Sequence, residues 1–137
     1  MKALQYLVLL DLSNNKLEGP IPDDIGHMTF LNFLKLQNNQ LSGTMPQSIG
    51  GLISAQEIYL SNNKLKGSLP DKIGRLEKLR GLKVDNNLLS GEIPEEWKNP
   101  KIGKLLRCIV WMDSFASVLT TILYAIFSYA AFEQQRI

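Results

Sequence analysis

Four consecutive stretches of this chain align without gaps at a period of 24 residues. They are LVLLDLSNNKLEGPIPDDIGHMTF from Leu7, LNFLKLQNNQLSGTMPQSIGGLIS from Leu31, AQEIYLSNNKLKGSLPDKIGRLEK from Ala55 and LRGLKVDNNLLSGEIPEEWKNPKI from Leu79. Each reads L-x-x-L-x-L-x-N-N-x-L-x-G-x-I-P-x-x-I-G-x-L with conservative exchanges. A segment this short cannot bury its own leucines, so copies must stack and share one core. The L-x-L step has period 2, which places Leu10 and Leu12, Leu34 and Leu36, Ile58 and Leu60, and Leu82 and Val84 on the inner side of short strands. Asn15, Asn39, Asn63 and Asn87 fall where the chain must turn, and an amide there can satisfy backbone groups of neighbouring coils. Gly19, Gly43, Gly67 and Gly91 allow a backbone angle that other residues resist. The Ile-Pro step suits an extended segment on the opposite wall, after which Ile25, Ile49 and Ile73 return inward. The expected fold is an α/β repeat: a solenoid of four coils (7–30, 31–54, 55–78 and a degenerate 79–102) with a parallel sheet on its concave side.

The L-x-x-L-x-L-x-N-N-x-L-x-G-x-I-P pattern resembles the leucine-rich repeat family. Its L-x-G-x-I-P element is similar to the plant-specific class found in receptor-like kinases, receptor-like proteins and polygalacturonase-inhibitor proteins. The resemblance covers about residues 4–98. It implies a binding scaffold that presents a protein or peptide ligand surface on the concave sheet, and it names no ligand.

Two departures from the pattern frame the repeats. Leu4 aligns with Met28, Leu52 and Leu76, and the cysteine-paired cap usual in extracellular members has no counterpart before the first coil. At the other end Trp97, Lys98 and Pro100 replace the inward Ile, the Gly and the last Leu, as terminal repeats do. Residues 1–98 therefore form the repeat unit. Residues 99–113 are a basic segment that leads out of it, with Lys101, Lys104 and Arg107.

The 19 residues 114–132, SFASVLTTILYAIFSYAAF, carry no charge. As a helix they would extend about 28 Å, close to the hydrocarbon thickness of a bilayer. Asp113 is an N-cap for such a helix, and Trp111 stands at its end, where interfacial aromatics gather. The expectation is one transmembrane helix followed by a tail, 133–137. A capping helix packed on the solenoid is the competing reading. Ser114, Ser117, Thr121, Ala125, Ser128 and Ala131 recur every three or four residues, a stripe that favours helix–helix self-association or a co-receptor contact. The flanking Lys and Arg favour repeats on the cytoplasmic side of a tail anchor, whereas the resemblance implies repeats displayed outside the plasma membrane.

Composition narrows the chemistry. The 137 residues contain one Cys and one His, too few for a disulfide framework or a metal centre. Net charge is +2 with the excess in the tail, so a nucleic-acid partner is not expected. No phosphate-binding glycine loop, kinase catalytic loop or nucleophile elbow occurs. The chain is expected to be neither an enzyme nor a cofactor carrier. The outward strand positions remain. They form the columns Leu9, Phe33, Glu57, Gly81; Asp11, Lys35, Tyr59, Lys83; and Ser13, Gln37, Ser61, Asp85. Phe33, Lys35, Glu57, Tyr59, Lys83 and Asp85 are the candidate ligand contacts, the two aromatics foremost because solubility alone favours polar residues there. Asn38 and Asn62, beside the aligned asparagines, read as free surface residues. Three functions follow: a membrane-anchored, receptor-like recognition module; a soluble interaction or inhibitor protein with the tail as a cap; and a truncated receptor-kinase fragment without independent function.

Overall fold

A computed structural model describes residues 4–91 and 94–98, the side chain of Lys98 excepted. The expected membrane helix 114–132, the basic segment 99–113 and the tail lie outside the described residues. Among the described residues no helix is long and apolar enough to cross a membrane.

Eight short strands occur among the described residues: β1 (Leu9–Asp11), β2 (Glu18–Gly19), β3 (Phe33–Lys35), β4 (Gln40–Leu41), β5 (Glu57–Tyr59), β6 (Lys66–Gly67), β7 (Gly81–Lys83) and β8 (Leu88–Leu89). The L-x-L strands make one parallel sheet in the order β1-β3-β5-β7. Its register pairs residues one period apart: Leu10 with Leu34, Leu34 with Ile58, Ile58 with Leu82. Parallel pairing needs a long crossover, and each 24-residue coil supplies it.

The inner face of the sheet meets the returning half of each coil. Leu34, Ile58 and Leu82 have no exposed surface, nor do Ile49 and Ile73 opposite them. The return is a 3₁₀ turn: Asp23–His27, Gln47–Gly51, Asp71–Arg75, then Glu95–Lys98. Its start follows from the proline. Pro22, Pro46 and Pro70 sit at φ −66°, −71° and −63°, and their carbonyls accept the N–H of Ile25, Ile49 and Ile73. Proline thus holds the chain extended and supplies the first acceptor of the turn. In the last turn Trp97 occupies the inward isoleucine position, fully buried, and its indole N–H donates to the Pro70 carbonyl at 3.2 Å.

The glycine after each inward isoleucine has a steric reason that the repeat alone does not state. A Cβ on Gly50 would lie 2.7 Å from Lys72 Cβ and 2.8 Å from the Lys72 carbonyl oxygen. At Gly26 and Gly50 successive 3₁₀ turns stack too closely for a side chain; at Gly74 the nearest contacts, at 3.2 Å, are tight but looser.

Pairing also occurs away from the main sheet, where no hydrophobic alternation marks it. β2 pairs with β4 and β6 with β8, again in parallel, and Thr44 bridges to Lys66. The glycines at φ 73–87° end these segments.

The asparagine pairs divide their work. Asn39, Asn63 and Asn87 each bond the coil before them. Their Oδ1 atoms accept the N–H of Leu17, Leu41 and Leu65, and their Nδ2 atoms donate to the carbonyls of Leu12, Leu36 and Leu60. Among the described residues Asn15 bonds only within its own coil, to the Leu12 and Ser13 carbonyls.

Asn38 and Asn62 are exposed, as the sequence reading has them, but they are bonded and not indifferent to substitution as that reading expected. Asn14, Asn38, Asn62 and Asn86 lie in the left-handed region at φ 53–60°. Their side chains form a ladder in which Asn86 donates to Asn62, Asn62 to Asn38 and Asn38 to Asn14, at 2.7–2.8 Å. Asparagine is the residue besides glycine that tolerates this backbone best. Asn38→Ala is expected to cost about 1 kcal/mol through backbone strain and lost ladder bonds, and Asn38→Gly less. Urea unfolding of the two variants gives the order; equal costs would assign the effect to the ladder alone.

Candidate functional site

The outward residues of the main sheet lie where the register puts them. Leu9, Phe33, Glu57 and Gly81 form one row, and Asp11, Lys35, Tyr59 and Lys83 the next. Adjacent strands stand about 4.8 Å apart, so each row is a continuous strip of side chains. Phe33, Lys35, Glu57, Tyr59, Lys83 and Asp85 are all half-buried, and Leu9 is 52% exposed. All six candidate contacts therefore share one face. Phe33 and Glu57 belong to one row, Lys35, Tyr59 and Lys83 to the other, and Asp85 follows β7.

Tyr59 is the centre of the best-defined cluster. The Lys83 ammonium sits 4.5 Å from the centre of its ring, an attraction of roughly 0.5–1 kcal/mol at an exposed site. Gly81 leaves room beside it: a Cβ there would touch Glu57 Cγ at 3.5 Å and Tyr59 Cε1 at 3.6 Å. Burial, and then the Glu57 carboxylate alongside, push the Tyr59 phenol above its ordinary range. Neither Lys35 nor Lys83 has a carboxylate within ion-pair distance among the described residues.

The remaining acids are held locally. The Ser13 hydroxyl donates to Asp11 at 2.6 Å and the Ser13 N–H at 3.1 Å, which lowers the Asp11 pKa. Ser61 donates its hydroxyl to Asp85. These bonds orient both carboxylates along the strip. His27, on the 3₁₀ turn, is largely exposed, with Asp24 at 3.7 Å.

Sequence columns drawn only through the strands missed a neighbouring apolar cluster. Tyr6 and Phe30 stack with ring centroids 5.7 Å apart and 36° between planes, although they are 67% and 54% exposed. Val8 and Leu9 are exposed as well. The available signal was their spacing, since Tyr6 and Phe30 stand one period apart. Ser54 and Lys78 hold the same position in the next coils, so the surface passes from apolar to polar along the solenoid.

Known proteins place this geometry in a family. Two leucine-rich-repeat family models match, one over residues 31–89 and one over residues 6–28. A comparison with curated proteins found no match. Among solved structures, the ectodomain of BIR2 from Arabidopsis thaliana is 38% identical with a TM-score of 0.66, over 73% of this chain and 54% of its own length. PEPR1 in its complex with AtPEP1 is 38% identical with a TM-score of 0.67, over 69% of this chain and 14% of that one. The Arabidopsis receptor kinase HAESA, in complex with the peptide hormone IDA and the co-receptor SERK1, is 33% identical with a TM-score of 0.66, over 77% of this chain and 17% of that one. The chain thus spans between about an eighth and about half of the length of the relatives it resembles. With its parallel in-register strands, asparagine turns and Ile-Pro returns, the chain belongs to the leucine-rich-repeat family, in the class shared by plant receptor-kinase ectodomains.

Proposed function

We propose that this chain is a receptor-like recognition module that binds a peptide or protein across the outward, concave face of its main sheet. The observation that carries the reading is the placing of Phe33 and Tyr59 on that face, with Lys35 and Lys83 flanking Tyr59 in one row. Stacking of the coils needs nothing from these positions, because the residues between them supply the core. Two half-buried aromatics offer area to a ligand at low entropic cost, and the unpaired ammonium groups offer orientation. Among the similar structures, HAESA was solved in complex with the peptide hormone IDA and PEPR1 with AtPEP1, which supports a peptide or protein ligand. The module has no catalytic role and needs no cofactor. On this reading residues 114–132, which lie outside the described residues, anchor it in the membrane, and a co-receptor is a further partner.

Selection of a phage-displayed peptide library on the purified full chain tests this. Enrichment is expected on the unaltered chain and not on the Phe33→Ala, Tyr59→Ala double variant, whose unfolding midpoint stays close to the original. Equal enrichment on both would move the ligand surface elsewhere. A large fall in the midpoint would make the aromatics part of the core.

A further inference from the structure

We infer that Gly81 marks a subsite in the concave face, an opening that admits one short, uncharged, hydroxyl-bearing side chain, serine or threonine, of the bound peptide. The inference rests on the peptide-binding reading of that face and names what the face selects.

The first observation is that the fold does not need a glycine at position 81. The structure describes nine glycines. Gly19, Gly43, Gly67 and Gly91 lie at positive φ, where other side chains are strained. At Gly26, Gly50, Gly51 and Gly74 a Cβ would stand 3.2 Å or less from the neighbouring turn. Gly81 meets neither condition. Its φ is outside the left-handed region, and an added Cβ would have Glu57 Cγ at 3.5 Å, Tyr59 Cε1 at 3.6 Å and Tyr59 Oη at 3.8 Å, ordinary van der Waals distances. Yet it stands in β7, and glycine weakens a strand and marks places where a ligand comes close to the backbone.

The second observation is what borders the gap. Leu9, Phe33 and Glu57 precede Gly81 in its row, all with long side chains, so the row drops at the last coil. The cations beside Gly81 in sequence are tied to the preceding coil. Lys83 lies over the Tyr59 ring, and the Arg80 guanidinium donates to Gln56 Oε1. The Glu57 carboxylate, one bond beyond Cγ, has no ion-pair partner among the described residues.

These walls choose the occupant. A ligand carboxylate would meet the Glu57 carboxylate, and a ligand ammonium would meet the charges of Lys83 and Arg80. A hydroxyl can donate to Glu57 and share a hydrogen bond with the Tyr59 hydroxyl. With wall atoms 3.5–3.8 Å from the missing Cβ, the gap suits a few heavy atoms and no long chain.

The test selects a displayed library of random peptides on the full chain and on its Gly81→Ala, Gly81→Val and Glu57→Gln variants. Serine or threonine is expected at one fixed position of the peptides enriched on the unaltered chain. Exchanging that residue for alanine in the synthetic peptide should weaken binding, as should Glu57→Gln. Gly81→Val should weaken the same peptides about tenfold or more, the effect of one misfitting small group. Gly81→Ala should raise the urea midpoint, since alanine fits there and glycine loses more freedom on folding. It also carries the binding arm, with a smaller loss, if valine prevents folding. A lower midpoint for Gly81→Ala would give the glycine a structural role and overturn the inference. An enriched charged or apolar residue at the fixed position would overturn it too. So would peptides that bind Gly81→Val unchanged but fail on the Phe33→Ala, Tyr59→Ala double variant, a result that leaves the concave-face reading standing. No enrichment, or binding indifferent to Phe33 and Tyr59, sinks both.

Discussion

Replacing Trp97 with alanine is expected to cost about 3–5 kcal/mol, the range for a fully buried tryptophan. The residue fills the position that Ile25, Ile49 and Ile73 hold in the earlier coils and closes the apolar core at its carboxyl end. Its indole also serves the Pro70 carbonyl, which then keeps only the Ile73 N–H. Trp97→Phe retains much of the volume and loses the donor, so its cost should stay near 1 kcal/mol plus a packing loss. In a linear array each coil leans on its neighbours, so the damage concentrates at the end. Hydrogen exchange of Trp97→Ala should rise in residues 79–98 before it rises around Leu34. A uniform increase along the array would mean that Trp97 supports the whole solenoid as one cooperative unit. An unfolding midpoint within about 0.5 kcal/mol of the original would show that the last turn contributes nothing to the core.

Most of the fold was legible because the repeat encodes it several times over. The strand positions, the inward leucines and the inner isoleucines follow from a period of two nested in a period of 24, and a single coil with poorer residues is still read through its three siblings. The β2–β4 and β6–β8 pairs were not legible. Their residues, Glu18–Gly19 and Lys66–Gly67 among them, carry no alternation, and each two-residue strand is recognisable only from its backbone pairing. The Asn-Asn pair was half legible. Burial can be inferred for the second asparagine because it lies in the turn next to the core. The left-handed backbone of the first leaves no mark in hydrophobic pattern, although asparagine at four equivalent positions was itself the sign. The candidate site shows the same division. Parity placed Phe33, Tyr59 and the lysines on one face. It could not show that Gly81 opens the space into which Tyr59 and Glu57 lean, or that the exposed Tyr6 and Phe30 rings meet.

Asn63→Ala should cost toward the upper end of about 1–3 kcal/mol, the price of an unpaired buried polar group. Asn63 is buried, and its Oδ1 is the acceptor for the Leu41 N–H at 3.0 Å, inside the core between two coils. The carbonyls of Leu36 and Leu60 lose Nδ2 as a donor but keep Asn39 and Asn87 respectively. The Leu41 N–H is therefore the main orphan. Asn63→Asp separates the two halves of the side chain's role. It keeps the acceptor for Leu41 but sets a carboxylate oxygen against the Leu36 and Leu60 carbonyls. Protonation relieves that repulsion, so the folded-state pKa of the new acid must lie above its unfolded value. Its stabilising contribution is then fully present below the unfolded pKa and lost as pH rises through the folded one. Urea midpoints of Asn63→Asp measured from acid to neutral pH should fall relative to the original chain, while those of Asn63→Ala run parallel to it. Asn15→Ala is the control within the same molecule. It makes none of the bonds to a preceding coil, and its loss should stay within about 0.5 kcal/mol. Equal costs at Asn15 and Asn63 would mean that the side chain's value lies in shaping its own turn and not in tying one coil to the next.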